Sequence, residues 1–584
     1  MTPARSDARR RGFLTAFAHP VRSAVAVSCG VMPWSSSLRW TRRLAVGALS
    51  LLPLLSCSGD DDDVSPTPPA TIDRDAEAKR LLTGPDWYRH AVFYEVYVRS
   101  FQDSNGDGIG DIPGLISRLD YLQGLGVNAL WLMPIMPTPF QDSGYDVSDY
   151  SAINPDYGTI ADYDRLLAEA HKRNMRVVID LVLNHTSDQH PWFKESRADK
   201  TNPKASWYVW SDQPSPPDNP CTVQQSTFGS SAWELDPTRN QYYFHRFYAA
   251  QPDLNYREPA VVQATLDAAR FWLDRGTDGF RCDVIALLYE SAQGCDLIPE
   301  TKDYIRQLRT IVDGHQDAVM VAESTDFNDA SAYFGNGSDM FHMAFDFSYG
   351  YFWGLDFNLS SSKRFYDSFG TVQSKYPAGA QDALVIGSHD VLRASSVSNM
   401  QPWRARRAAE IQMFMRGTPF IYYGEELGLL PGKDVVVDDR DKARTPIPWA
   451  TGEGQGFTTG KPWVSFGAQA DELSVATQDA DPSSTLTFYR NLLRLRHGHA
   501  VWGTGSVTLL PTDNEAIFAF ARQDDAEGYL VAINMSEDPQ SGTAAGAPTP
   551  LADGLTYGDG QAATDPAGAR FVLPGTGSVV WKFK

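Results

Sequence analysis

A parallel eight-stranded β/α barrel, opened by a small domain inserted after its third strand and followed by an antiparallel β-sandwich domain, is the fold this sequence predicts. Three observations predict it. Short apolar runs alternate with helix-period stretches from residue 86 to 497, acidic residues close several of those runs, and near residue 500 the pattern changes to strands separated by turn residues. Strands of a parallel sheet are covered on both faces and read as continuous apolar runs joined by crossover helices. A doubly wound open sheet would share that alternation; a set of eight strands, each with a crossover, gives a closed barrel.

The elements follow in chain order. Residues 1–56 have the build of an export signal: eight Arg, with Arg42 and Arg43 preceding a twelve-residue apolar run, Leu44 to Leu55, too short to span a bilayer stably. Leu54-Leu55-Ser56-Cys57 resembles a bacterial lipobox, which implies a lipid on Cys57 and an exported, membrane-anchored lipoprotein. An acidic, Pro-containing tether follows over 57–85. Without residues 1–56 the chain keeps 43 basic and 71 acidic residues, a net charge of −28. Such a chain lacks the basic stripe of a nucleic-acid binder and suits a neutral substrate. At 42% hydrophobic it is also too apolar for a disordered protein.

The barrel's first part is read over 86–186, with strands at Val92–Tyr97, Ala129–Met133 and Arg176–Asp180. From Asp180 to Asp283 is 103 residues, far more than one β/α unit, so residues 187–256, rich in Trp, Tyr, Pro and Asn, form the inserted domain. The second part, 257–497, carries strands at Gly279–Asp283, Ala318–Glu323, Met343–Asp346, Ala383–Gly387 and Pro419–Tyr423, with amphipathic stretches between. Residues 498–584 make the C-terminal β domain, with strands at 506–510, 516–520, 528–533 and 579–583. Three of the five cysteines follow the tether. One disulfide is expected, Cys221 with Cys295, both in polar loops, which leaves Cys282 on a buried strand.

Asp180, Asp283, Glu323 and Asp390 fall at C-terminal strand ends, where barrel enzymes carry catalytic groups. A single strand-end Asp is more often a helix cap; four in one barrel are harder to dismiss. Arg281 and Asp283 share a strand face by the period of two. The expectation is that the guanidinium lowers the Asp283 pKa and keeps it ionised and nucleophilic. Glu323 ends the neighbouring strand, close enough for the carboxyl pair of a retaining glycosidase.

The segments Asp180-Leu-Val-Leu-Asn-His185, Gly279-Phe-Arg-Cys-Asp283, Val321-Ala-Glu323 and Ser388-His-Asp390 resemble, in order and spacing, the four signature segments of the alpha-amylase family of glycoside hydrolases. Supporting likeness runs through Phe93–Ser100, Gly144–Tyr150, Gln251–Asn255 and Gly417–Gly424, covering about 86–584. The resemblance implies Asp283 as nucleophile, Glu323 as general acid and base, and Asp390 as the residue that holds sugar hydroxyls. It implies sugar contacts from His185, His389 and Asp146, with Tyr145 as stacking platform. Ser388 departs from the Asn usual before that His-Asp pair. Asp103, Asn105, Asp107, the Ile109 carbonyl and Asp111 look like the family's calcium loop, which implies one structural Ca2+.

For linkage, Val284 after the nucleophile looks like the residue of members that cleave α-1,6 bonds, and Gln251–Asn255 resembles the oligo-1,6-glucosidase segment. Leu287 stands where many α-amylases carry His. The implied activity is hydrolysis of α-glucosidic bonds, α-1,4 and/or α-1,6, in starch-derived glucans and malto- or isomalto-oligosaccharides. The alternatives are an endo-acting α-amylase and a transglycosylase or isomerase of the trehalose synthase type.

Overall fold

The computed structural model describes residues 73–216, 225–291, 294–326, 329–348, 357–391, 393–397 and 401–584. The segment read as an export signal and most of that read as a tether lie outside these residues, as does Cys221. Cys295 is disulfide-bonded, and Cys282 is free and buried.

Eight parallel strands close into a barrel, all of them among those read from the apolar runs. They are β1 (Phe93–Val96), β2 (Ala129–Leu132), β3 (Arg176–Val182), β7 (Gly279–Asp283), β8 (Val319–Ala322), β9 (Met343–Asp346), β10 (Gln381–Val385) and β11 (Thr418–Tyr422). Between β3 and β7 the chain leaves to form a small three-stranded sheet, β4 (Trp210–Ser211), β5 (Trp233–Asp236) and β6 (Gln241–Phe244), in the order β4-β6-β5. The barrel closes where β1 pairs with β11, and Phe93 stacks on Phe420 with ring centroids 4.3 Å apart. Inward side chains from alternate positions, among them Phe93, Trp131, Val178, Val321, Met343, Phe345, Val385 and Phe420, fill the barrel as a packed core.

Local chemistry fixes the elements that carry the site. The helix Ile160–Lys172 starts at Thr159, whose side chain and that of Asp162 cap each other's backbone amides. It buries Tyr163, Leu166, Leu167 and Ala170, one apolar face at helical spacing. Gly279 opens β7 at φ +140°, and a Cβ there would lie 2.0 Å from the Val319 carbonyl oxygen. Only glycine lets the strand carrying Asp283 lie this close to the one leading to Glu323.

The C-terminal part folds into a five-stranded antiparallel sheet and a three-stranded one. Ile517, Leu530, Phe571, Leu573 and Val579 pack between them. Four strands missing from the sequence reading, Gln540–Ala545, Leu555–Gly558, Gln561–Asp565 and Gly568–Leu573, are short, rich in Gly, Ala and Thr, and partly exposed. Their apolar signal is correspondingly thin.

Candidate active site

Asp283 closes β7, and Glu323 follows β8 directly; the two strands are neighbours, with Cys282 opposite Ala322. Arg281 lies on the same face of β7 as Asp283, and its side chain is 2% exposed. One nitrogen, Nη1, donates to Asp283 Oδ1 at 2.7 Å and to Asp180 Oδ1 at 2.8 Å. The other, Nη2, lies 2.8 Å from Glu323 Oε2. Asp180 comes from β3, in register with Arg281. Its second oxygen accepts from Trp131 Nε1 at 3.1 Å and from the Tyr145 hydroxyl at 2.9 Å. One buried guanidinium thus gathers carboxylates from two strands and a strand end.

The expected lowering of the Asp283 pKa is corrected. Burial, with the carboxylates of Glu323 and Asp180 alongside, pushes Asp283 well above the usual carboxylate range, and Arg281 only partly opposes this. Three acids around one cation leave a net negative buried cluster, which is relieved by a proton held within it. A retaining carboxyl pair requires one protonated and one ionised member.

Val284, next after Asp283, adopts a left-handed backbone at φ 34°, costly for a β-branched residue. Its amide donates to Glu323 Oε2 at 2.9 Å. Val284 therefore acts on the acid through its backbone, and the strain is held at the site.

Beyond β10, His389 is 1% exposed, whereas Asp390 opens to solvent with 38% of its side chain accessible. His389 Nε2 lies 2.8 Å from the Tyr145 hydroxyl and 3.1 Å from Asp390 Oδ2, and Nδ1 lies 2.6 Å from Glu95 Oε1. The Tyr145 ring stacks on His389 at 5.2 Å, 15° between planes. Arg440 Nη1 donates to Asp390 Oδ1 at 2.8 Å, and Arg444 Nη2 is 3.5 Å from the same oxygen. Burial opposes it, but His389, Arg440 and Arg444 together hold Asp390 well below the usual carboxylate range.

His185, buried, faces Gln251 Nε2 at 3.2 Å, and Gln251 also donates to Asp142 Oδ2 at 3.0 Å. Burial drops the His185 pKa to about 4, so its imidazole is neutral at physiological pH. Asp142 pairs in turn with Arg440. Asp146 is set differently from its expected sugar contact. It is wholly buried, and its carboxylate accepts from Thr138 Oγ1 at 2.7 Å and from the amides of Gln141 and Asp142 at 2.9 and 3.1 Å. It ties its own loop together, and the carboxylate that loop sends to Arg440 is Asp142.

The predicted cation loop folds as three successive Asx turns. Asp103 Oδ1 accepts the Asn105 amide at 2.9 Å, Asn105 Oδ1 the Asp107 amide at 2.9 Å, and Asp107 Oδ1 the Ile109 amide at 2.8 Å. Asp111 caps the following helix and accepts from Ser104. The oxygen donors suit calcium in kind. Among the described residues, however, no three His, Cys, Asp or Glu side chains stand close enough together to hold a metal ion.

Sequence reasoning missed Glu95, Asp142, Arg440 and Arg444. Glu95 had a signal, an acid inside an apolar strand run. The two arginines lie in a charge-dense stretch, 438–444, that reads as an ordinary solvated loop.

Residues 95–505 match the family described as "Alpha amylase, catalytic domain". An oligo-1,6-glucosidase of Heyndrickxia coagulans is 35% identical over 521 residues, 78% of this chain and 93% of that protein. The trehalose synthase/amylase TreS of Mycobacterium tuberculosis is 35% identical over 513 residues, 79% of this chain and 84% of the other. Among solved structures, the trehalulose synthase MutB of Pseudomonas mesoacidophila MX-45 superposes with a TM-score of 0.74 at 33% identity, covering 86% of this chain and 100% of that one.

Proposed function

This chain belongs to the alpha-amylase family of glycoside hydrolases, and we propose that it cleaves α-glucosidic bonds in starch-derived oligosaccharides by a retaining double displacement. The observation that carries the reading is that Asp283 and Glu323, from adjacent strands, share the Arg281 guanidinium. That brings the two carboxyls to the same guanidinium from neighbouring strands, and a retaining pair needs a separation of about 5 Å. In the reactive form the cluster's proton is on Glu323 and Asp283 is ionised against Arg281; Asp283 then attacks the anomeric carbon while Glu323 protonates the departing oxygen, leaving a glucosyl ester on Asp283. Glu323 then takes a proton from water, which attacks the same carbon from the side the leaving group left. Asp390, kept ionised by its cations, accepts hydrogen bonds from the sugar hydroxyls, with His185, His389 and Tyr145 around the same ring.

Malto- and isomalto-oligosaccharides are the proposed substrates. Val284, Leu287 and the Gln251–Asn255 segment support these over polymeric starch, the substrate of an endo-acting α-amylase. A second reading, transfer or isomerisation of the trehalose synthase type, is supported by one observation: the trehalose synthase/amylase relative is as similar to this chain as the oligo-1,6-glucosidase. Export as a lipoprotein through Cys57 is part of the proposal and rests on residues 1–57 of the sequence. So is a calcium ion held by Asp103, Asn105, Asp107, the Ile109 carbonyl and Asp111, which would draw those oxygens together and brace the loop.

The test incubates the protein separately with isomaltose, maltotriose and soluble starch, with products followed by chromatography. Glucose from isomaltose or maltotriose with starch viscosity retained supports the oligosaccharide reading. Rapid loss of viscosity supports the endo-amylase, and trehalose or longer sugars from maltotriose support transfer.

A further inference from the structure

A buried acid outside the nucleophile–acid pair contacts the machinery through His389. Glu95 sits in mid-strand on β1, 1% exposed, with Oε1 2.6 Å from His389 Nδ1. The far side of the same ring, Nε2, lies 3.1 Å from Asp390 Oδ2 and 2.8 Å from the Tyr145 hydroxyl. A carboxylate only accepts hydrogen bonds, so each ring nitrogen that faces one must carry a hydrogen. Asp390 is fixed as a carboxylate by Arg440 and Arg444 on its other oxygen.

We propose that Glu95 is a positioning residue that holds His389 doubly protonated, so that Nε2–H is a permanent donor to Asp390 and Tyr145 and the pair sets the alkaline limit of activity. The proposal rests on the retaining reading above. With Nε2 donating, the Tyr145 hydroxyl accepts from His389 and gives its own proton to Asp180 at 2.9 Å. The hydrogen bonds then run in one direction from the cation at His389 to the Arg281 cluster, and the Tyr145 hydroxyl has a single orientation.

Burial raises the Glu95 pKa and His389 and Arg281 oppose that rise, so the 2.6 Å contact with His389 is what holds Glu95 as a carboxylate. Burial alone would lower the His389 pKa, but Asp390 and Glu95 outweigh it and lift the imidazole to about 9. Trp131 packs edge-on to the ring at 5.8 Å, and Arg444 donates to the His389 carbonyl at 3.0 Å. Glu95 faces His389, Arg281 and Asp390, and on the β11 side Tyr422 and Glu425. Burial, with Glu95 and Glu426 beside it, pushes Glu425 well up, so it stands as a neutral acid that leaves the Glu95 charge to His389.

The test compares wild type with Glu95→Gln, which keeps a hydrogen-bonding group of the same shape and removes the charge, and with Glu95→Ala, using hydrolysis of an aryl α-glucoside from pH 5 to 10. The expected result is an alkaline limb of kcat moved toward acid by one to two pH units in Glu95→Gln, with kcat near wild type at pH 5.5 and at least tenfold lower at pH 9. Glu95→Ala is expected to lose activity at every pH. A Glu95→Gln profile that overlays wild type after scaling would overturn the proposal. Should the variants fail to fold, 15N spectra of the imidazoles of the wild-type protein decide, with His389→Gln assigning the resonance: two N–H signals from His389 at pH 7.5 are expected, and one neutral tautomer refutes. Asp283→Asn serves as control. If it retains activity, the retaining reading fails, while the 15N result still judges Glu95.

Discussion

Replacing Arg281 by Met isolates the interaction on which the site is built. The guanidinium is 2% exposed and lies 2.7–2.8 Å from oxygens of Asp180, Asp283 and Glu323. At an effective dielectric of about 20, each contact is worth roughly 4 kcal/mol of attraction, much of it offset by desolvation. Methionine fills similar volume but leaves the acids facing one another. Removing one partner of a buried ion pair costs about 3–5 kcal/mol, and that is the loss of stability expected at pH 7. The deficit has a definite pH sign. Without Arg281 the folded-state pKa values of the acids rise, so the variant binds more protons when folded than unfolded and gains relative stability as pH falls. Urea unfolding at pH 7 and pH 5, read with the slope m, measures this; the deficit should be smaller at pH 5, with m unchanged. A midpoint equal to wild type at pH 7, or a deficit that grows at pH 5, would refute the reasoning, because the acids would then not be held by the cation.

Glu323→Gln should lower kcat on maltotriose by about 10²–10⁴, with a smaller loss on a substrate whose leaving group needs no proton, since only the proton transfer is removed; steady-state kinetics on both checks it. Gly279→Ala places a Cβ 2.0 Å from the Val319 carbonyl, so the melting temperature should fall by several degrees and the β7–β8 spacing should widen, seen as lost activity in the folded fraction. Calcium bound at Asp103–Asp111 should raise the melting temperature over an EDTA-treated sample without changing kcat, and Asp107→Ala should abolish the difference.

The barrel was legible because its strands are buried on both faces. Runs such as Ala129-Leu-Trp-Leu and Arg176-Val-Val-Ile survive any register and mark themselves as strands. The four C-terminal strands were not, because Gln540–Ala545 and Gln561–Asp565 carry too few large apolar groups to stand out from loops. In the site, Asp283 and Glu323 were readable from strand-end position together with the signature segments, whereas Asp180 lies inside β3 and Asp390 lies beyond the end of β10 at Val385. What the acids do to one another was not readable: Arg281 was expected to lower Asp283, but two further carboxylates converge on the same guanidinium, one of them from a strand about a hundred residues away. Asp146 and Asp142 lie four residues apart on one loop, and only the fold shows that the first binds the loop's amides while the second meets Arg440. The role of Glu95 likewise depends on a contact between residues 294 apart in sequence.

The central claim is that Asp283 forms a covalent bond to glucose. Incubation with a fluorinated α-glucosyl fluoride, in which the glucosyl-enzyme forms faster than it breaks down, followed by proteolysis and mass spectrometry, tests it most directly. One hexosyl label per chain on the peptide containing Gly279–Asp283, located at Asp283 by fragmentation and absent in Asp283→Asn, is the predicted result. A label on another carboxylate, or turnover with no label and an inverted anomer in the product, would contradict it.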